Sequence, residues 1–125
     1  MNNLNKESYV ESYYSDGSIS SKKWYLNGNL HRKNGPAWIE YYHNGNIYLE
    51  QWYYHNMLHR DIKEGPAWIE YYQNGNIYII KWYQHNMLHR DLIKGPAWIE
   101  ITGIKKNIII LKWYLNNELQ VKGIK

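Results

Sequence analysis

Apolar and polar positions alternate along this chain in short bursts, each ending on the same kind of punctuation. "AWIEYY" (Ala37–Tyr42) is followed by "HNGN", then "IYLEQWYY" (Ile47–Tyr54), "HN" and "MLHR" (Met57–Arg60). The bursts are rich in β-branched and aromatic residues, and their apolar positions lack helical spacing, so strands are predicted. Between them recurs one pattern: aromatic, Tyr, any residue, polar, Gly or Asn, any residue, Ile or Leu. Gly17, Gly28, Gly45, Gly75, Asn56, Asn86 and Asn117 all fall in its fifth column. Gly and Asn accept positive φ most cheaply, and Asn-Gly between strand-like runs is the strongest short hairpin cue. Seven such turns in register predict an all-β chain: an elongated antiparallel meander of tandem hairpins.

A longer period lies over this one. Gly35, Gly65 and Gly95 are thirty residues apart, and Trp24, Trp52, Trp82 and Trp113 mark four units of about that length. The nineteen residues Trp52–Glu70 return as Trp82–Glu100 with four differences. Each unit reads as strand "PAWIEYY", turn, strand "IYLEQWYY", turn, short strand "MLHR" and loop. The expectation is a single repeat domain over 1–125, with units at about 12–39, 40–69, 70–99 and 100–125. The hydrophilic first unit and the Ile-rich last one serve as caps. "ITGIKKN" (Ile101–Asn107) has lost the turn pattern. Pro36, Pro66 and Pro96 open strands, where a missing N–H costs least, and the glycine before each permits a sharp entry. By strand parity Ile47, Leu49 and Gln51 share one face with Ile77, Ile79 and Lys81 in the next unit. The other face carries Tyr48, Glu50 and Trp52, then Tyr78, Ile80 and Trp82.

The doublet "YYxNGxI…WYxNNxLHRxxGPAxI" resembles the variant class of MORN (membrane occupation and recognition nexus) repeats. It is especially similar to the "LHRxxGPA" form found in giant DNA viruses and virophages. The likeness spans residues 12–120, and "LHRxxGPA" is its more specific part. It implies single-layer antiparallel sheets without enzymatic activity, serving as scaffolds, dimerisation modules or binding surfaces. It also implies a viral source, and so a place in host cytoplasm or virion.

Composition changes this picture in two ways. Seven Trp and fourteen Tyr stand beside no Phe, so every large aromatic carries an N–H or O–H. Such rings suit half-buried positions, which argues for a thin structure in place of a thick dry core. The net charge of +4 gathers at the ends: residues 36–65 carry two basic and four acidic groups, whereas 96–125 carry five and two. The absence of cysteine removes disulfide and thiolate chemistry and fits an intracellular, non-secreted protein. No apolar run approaches membrane-spanning length.

The candidate chemistry lies in columns. Arg32, Arg60 and Arg90 are the only arginines, and all occupy the "LHR" position. A planar guanidinium suits a carboxylate, an aromatic face or a phosphate. Glu40, Glu70 and Glu100 form an equally regular column, and the tryptophans another, so internal pairing is the first expectation and a ligand-facing row the second. Lys23, Lys81 and Lys112 form a further basic column, with Lys81 read as a surface lysine, and Tyr48 and Tyr78 are candidate stacking platforms. His31, His59 and His89 resemble a metal set at first sight. At three strands per unit, however, equivalent positions sit roughly 14 Å apart, a row instead of a cage. Each is expected to pack on tryptophan and bond to backbone. No nucleophile–base pair, carboxylate pair or phosphate loop is present, and a repeated residue makes a poor catalytic centre. No cofactor, metal or catalytic residue is therefore expected. Two functions are: a scaffold for a protein partner or homo-oligomer, or a DNA or RNA binder acting through the Arg and Lys columns and the aromatics.

Overall fold

A computed structural model of the chain describes residues 5–103, 105 and 108–124, and these contain strands and turns but no helix. None of the described residues therefore forms a helix long and apolar enough to cross a membrane. The first strands are β1 (Glu7–Tyr13), β2 (Ile19–Leu26), β3 (Asn29–Leu30), β4 (Trp38–Tyr41) and β5 (Ile47–Gln51). There follow β6 (Tyr53–Tyr54), β7 (Met57–Leu58), β8 (Trp68–Tyr71), β9 (Ile77–Lys81), β10 (Tyr83–Gln84) and β11 (Met87–Leu88). The chain closes on β12 (Trp98–Thr102), β13 (Ile108–Leu115) and β14 (Glu118–Ile124). One open antiparallel sheet runs β1-β2-β4-β5-β8-β9-β12-β13-β14, with β3 on β2. The all-β meander expected from the turn columns is the observed architecture.

The unit differs in one respect. Each middle unit gives two strands to the sheet, and its remainder folds away as a separate hairpin, β6–β7 or β10–β11. The break falls at Trp52 and Trp82. The Trp52 N–H donates to the Ala67 carbonyl at 2.8 Å, while its own carbonyl accepts from the His59 N–H at 3.0 Å. The tryptophan is thus bonded forward to the next unit on one side and to its own hairpin on the other. Continuous β-propensity through "IYLEQWYY" hides this change of partner. At the C-terminal end β13 runs unbroken, and its partner β14 belongs to the main sheet. β1 lies mostly before the first expected unit, overlapping it at residues 12–13. It escapes pattern reading because both its faces are exposed. Within "ITGIKKN", β12 extends to Thr102, and residues 104, 106 and 107 lie outside the described residues.

All seven turn-column residues have positive φ, between 67° at Asn56 and 93° at Gly75. The turns are of two kinds. At Gly45 the N–H donates to the Tyr42 carbonyl and the Tyr42 N–H to the Asn46 carbonyl, a type I turn closed by a glycine bulge. At His55–Asn56, His85–Asn86 and Asn116–Asn117 both central residues have positive φ, as a type I′ turn requires. The core is thin. Ala37, Ala67 and Ala97 are fully enclosed, but among the described residues no large side chain is. Half-covered Trp and Tyr, several with their polar tips hydrogen-bonded to neighbouring residues, take the place of a deep apolar layer.

Candidate functional site: the arginine–tryptophan column and its groove

The guanidinium carbons of Arg32, Arg60 and Arg90 lie over Trp24, Trp52 and Trp82, at 3.7, 4.0 and 3.8 Å from the ring centroids. Each donates through Nη1 to a proline carbonyl, Pro36, Pro66 or Pro96, at 3.1 Å. The residue before that proline is glycine for a reason visible here. Gly65 has φ 137°, and a Cβ on it would sit 2.8 Å from Nη1 of Arg60. "LHR" and "GPA" are therefore two halves of one contact: arginine clamped between an indole and a Gly-Pro backbone. Burial lowers the pKa of Arg60 and Arg90, though a guanidinium remains a cation at neutral pH.

The glutamates are committed elsewhere. Glu40, Glu70 and Glu100 accept from the indole N–H of Trp38, Trp68 and Trp98 at 3.0, 2.9 and 3.2 Å. Those indoles belong to a cross-strand row in strict register: Lys23, Trp38, Gln51, Trp68, Lys81, Trp98, Lys112. Lys81 Nζ sits 4.1 Å from the Trp68 centroid and 4.3 Å from that of Trp98. Lys23 lies over Trp38 at 4.0 Å and Lys112 over Trp98 at 4.4 Å. Burial pulls the Lys81 pKa down, and the nearby Glu70 and Glu100 carboxylates partly oppose the shift. Lys81 is thus a half-covered cation between two rings, not the surface lysine expected. Long alkyl stems and a desolvated cation–π geometry explain how a lysine can occupy that place.

Tyr48 and Tyr78 stand near the turn end of their strands, against Tyr42 and Tyr72 at 5.2 and 4.9 Å between centroids. Four residues separate Tyr48 from Trp52, about 13 Å of strand. The arginine, lysine and tyrosine candidates therefore occupy three separate places and do not converge.

The histidines serve the joints between units. Nδ1 of His31, His59 and His89 accepts the backbone N–H of His55, His85 and Asn116 at 3.0, 3.1 and 3.1 Å. The same bonds bring rings of neighbouring units together: the His31 ring lies 4.5 Å from His55, and His59 lies 4.3 Å from His85. Their ring neighbours are histidine and tyrosine where tryptophan was expected. Burial lowers the His31 and His59 pKa, and the adjacent imidazoles of His55 and His85 add to the effect. Among the described residues no three His, Cys, Asp or Glu side chains gather in a metal-binding group.

Two further joints had not been read from the sequence. Asn86 Oδ1 accepts from the Leu58 N–H at 2.7 Å while its own N–H donates to the Leu58 carbonyl at 2.8 Å, and Asn117 repeats both bonds with Leu88. The hydroxyls of Tyr42 and Tyr72 donate to the carbonyls of Tyr71 and Ile101 at 2.6 Å. Constancy of the Tyr14, Tyr42, Tyr72 column was the available signal. It marks a role at the unit boundary as surely as within a turn.

Between units the column opens into clefts. One of about 740 Å³ involves Trp24, His31, Arg32 and Lys33 together with Glu7 and Tyr9 of β1. Another, of about 230 Å³, lies between Arg32 and Arg60 against Trp52, Tyr53 and Tyr54. Such clefts can seat an aromatic or carboxylate-bearing side chain on a fixed, cationic, ring-backed wall. No family model, curated protein or solved structure matches the chain.

Proposed function

We propose that the chain is a non-enzymatic β-repeat scaffold that binds a protein partner or a second copy of itself, as its resemblance to MORN-type repeats implies. The supporting observation is where the repeated side chains are committed. Arginines lie on indoles and proline carbonyls, lysines on indoles, and histidines on backbone N–H groups of the next unit. The repeats thus hold each other, and among the described residues the main sheet ends at the backbone edges of β1 and β14. A backbone edge recognises another polypeptide strand. The nucleic-acid alternative is favoured by one feature, the cationic wall of Arg32 with Lys33 in the larger cleft. It would have to recruit Arg60, Arg90 and Lys81 away from their rings.

A mobility-shift titration with DNA and RNA at two salt concentrations tests the choice. The scaffold reading expects no retained complex at physiological salt. A complex whose log affinity–log salt slope falls by about one per arginine removed would transfer the function to nucleic acid.

A further inference from the structure

β1, "ESYVESY", exposes all seven of its residues at the outer edge of the main sheet. Tyr9, Val10 and Tyr13 are among the most exposed large apolar side chains, at 44, 47 and 59%. Edge strands are commonly blunted by lysine or proline, and β1 contains neither.

The β1 sequence is complementary to itself when reversed. Laid antiparallel about Val10, it sets Tyr9 opposite Glu11, Ser8 opposite Ser12, Glu7 opposite Tyr13, and Val10 opposite Val10. No two carboxylates face each other. Tyr–Glu opposition also matches a preference already expressed within the strand, where the Tyr9 and Tyr13 hydroxyls both donate to the Glu11 carboxylate. Behind the strand, Lys22 lies in register with Glu11 and Lys23 with Val10. The pairing of β1 with β2 is regular from Glu7 to Ser12 and slips only at Tyr13, so the segment about Val10 is straight enough to template a neighbour.

Topology favours a two-fold over a chain of copies. Nine strands alternate in direction across the sheet, so β1 and β14 run the same way. Head-to-tail stacking with the same face kept on one side would demand a parallel junction, which is the less stable pairing, whereas β1 against β1 is antiparallel, keeps that face continuous and closes as a dimer.

We propose that β1 pairs antiparallel with β1 of a second copy, centred on Val10, joining the two sheets into one continuous sheet. This rests on the scaffold reading and names its partner. The nearest carboxylates across the axis lie on the diagonals, at about 7–8 Å: Glu11 faces both Glu11 and Glu7 of the second copy in this way. Their repulsion is screened by salt, so the dimer tightens as salt rises, the opposite of phosphate binding.

Sedimentation of the whole chain across concentration and salt, with cysteine trapping, tests the proposal. Val10→Glu should weaken the dimer about tenfold by placing two carboxylates face to face, without harming the monomer, where Lys23 lies beside it. The chain has no cysteine of its own. Val10→Cys should therefore cross-link alone under mild oxidation, whereas Ser8→Cys should cross-link only when mixed with Ser12→Cys. A wild-type dimer that tolerates Val10→Glu and fails to cross-link at Val10 overturns this interface and leaves self-association through another surface. A wild-type monomer at hundreds of micromolar overturns the dimer and leaves the scaffold reading to a different protein. A mobility shift with nucleic acid would instead remove that reading itself.

Discussion

At the scale of single residues, the chain uses arginine where a lysine would carry the same charge. A planar guanidinium can meet a ring and still donate from its edge: Arg60 lies over Trp52 while its Nη1 bonds to the Pro66 carbonyl. Arg60→Ala and Arg90→Ala should each lower stability by about 1–3 kcal/mol in thermal or urea melts, from a lost cation–π contact and an unpaired carbonyl. Arg60→Lys should recover only part of that, since an ammonium has no flat face. Exposed Lys63 provides the control and should melt like wild type when replaced by alanine. Gly65→Ala should cost more than the ~1 kcal/mol typical of a glycine backbone effect, because positive φ and collision with Arg60 act together. In an Arg60→Ala background the collision disappears, so the two substitutions should be clearly non-additive. Gly75, at φ 93° with open space around its Cα, is the contrasting case. Gly75→Asn should be nearly silent there and Gly75→Val costly.

At the scale of elements, the hairpins are fastened through neutral histidines. His31 and His59 use Nδ1 to accept a backbone N–H, which a protonated imidazole cannot do. Both have folded-state pKa values below the ordinary histidine value of about 6.5. Between the lowered and ordinary values the unfolded chain binds more protons than the folded one, so stability rises with pH through that window. It is fully present above about pH 6.5 and is lost as pH falls toward the folded values. The other ionisable groups facing these rings are His55 and Glu7 for His31, and His85 and Asp61 for His59. Urea midpoints at pH 7.5 and 5.5 should therefore differ, with the lower pH less stable. His59→Phe should lower the neutral-pH midpoint and shrink the difference. The lysine–indole row makes a second element-scale prediction. Gln51 occupies the site between Trp38 and Trp68 that Lys81 occupies between Trp68 and Trp98. Lys81→Gln should then be milder than Lys81→Ala, which leaves two rings without a filler and should cost about 1–2 kcal/mol in the same melts.

At the scale of the whole molecule, repetition allows parts to be exchanged. Tyr hydroxyls, His Nδ1 and turn asparagines make the same bonds at successive boundaries, so each unit is fastened to its neighbour by the same set of contacts. Stability in such an array is a sum of unit and nearest-neighbour terms. Deleting residues 66–95 joins Gly65 to Pro96 and recreates the native Gly-Pro junction. The shortened chain should fold with a strand-type circular dichroism spectrum and a lower melting temperature. Deleting fifteen residues from the same region should abolish cooperative melting, because it pairs a turn column with a strand column.

Much of this architecture was written in local sequence. Positive-φ residues in one column at a constant interval leave the backbone few alternatives, so the hairpins, their antiparallel order and the thinness of the sheet could be read from Gly45, Asn56 and the Trp/Tyr-only aromatics. Local chemistry also offered arginine a short set of partners, an indole among them. Tertiary structure alone decided which one it took. Trp52 and Glu70 were both available in the sequence, and the choice depends on how far the chain turns after "LHR", a distance that no periodicity encodes. The same holds for the hairpins that leave the sheet at Trp52 and Trp82. Strand propensity describes a residue's preference for extended backbone, whereas the partner across the ladder is set by which neighbouring carbonyl lies within reach. His59, Asn86 and Tyr42 act across boundaries 26 to 29 residues away in the chain, and only the folded register brings those atoms together.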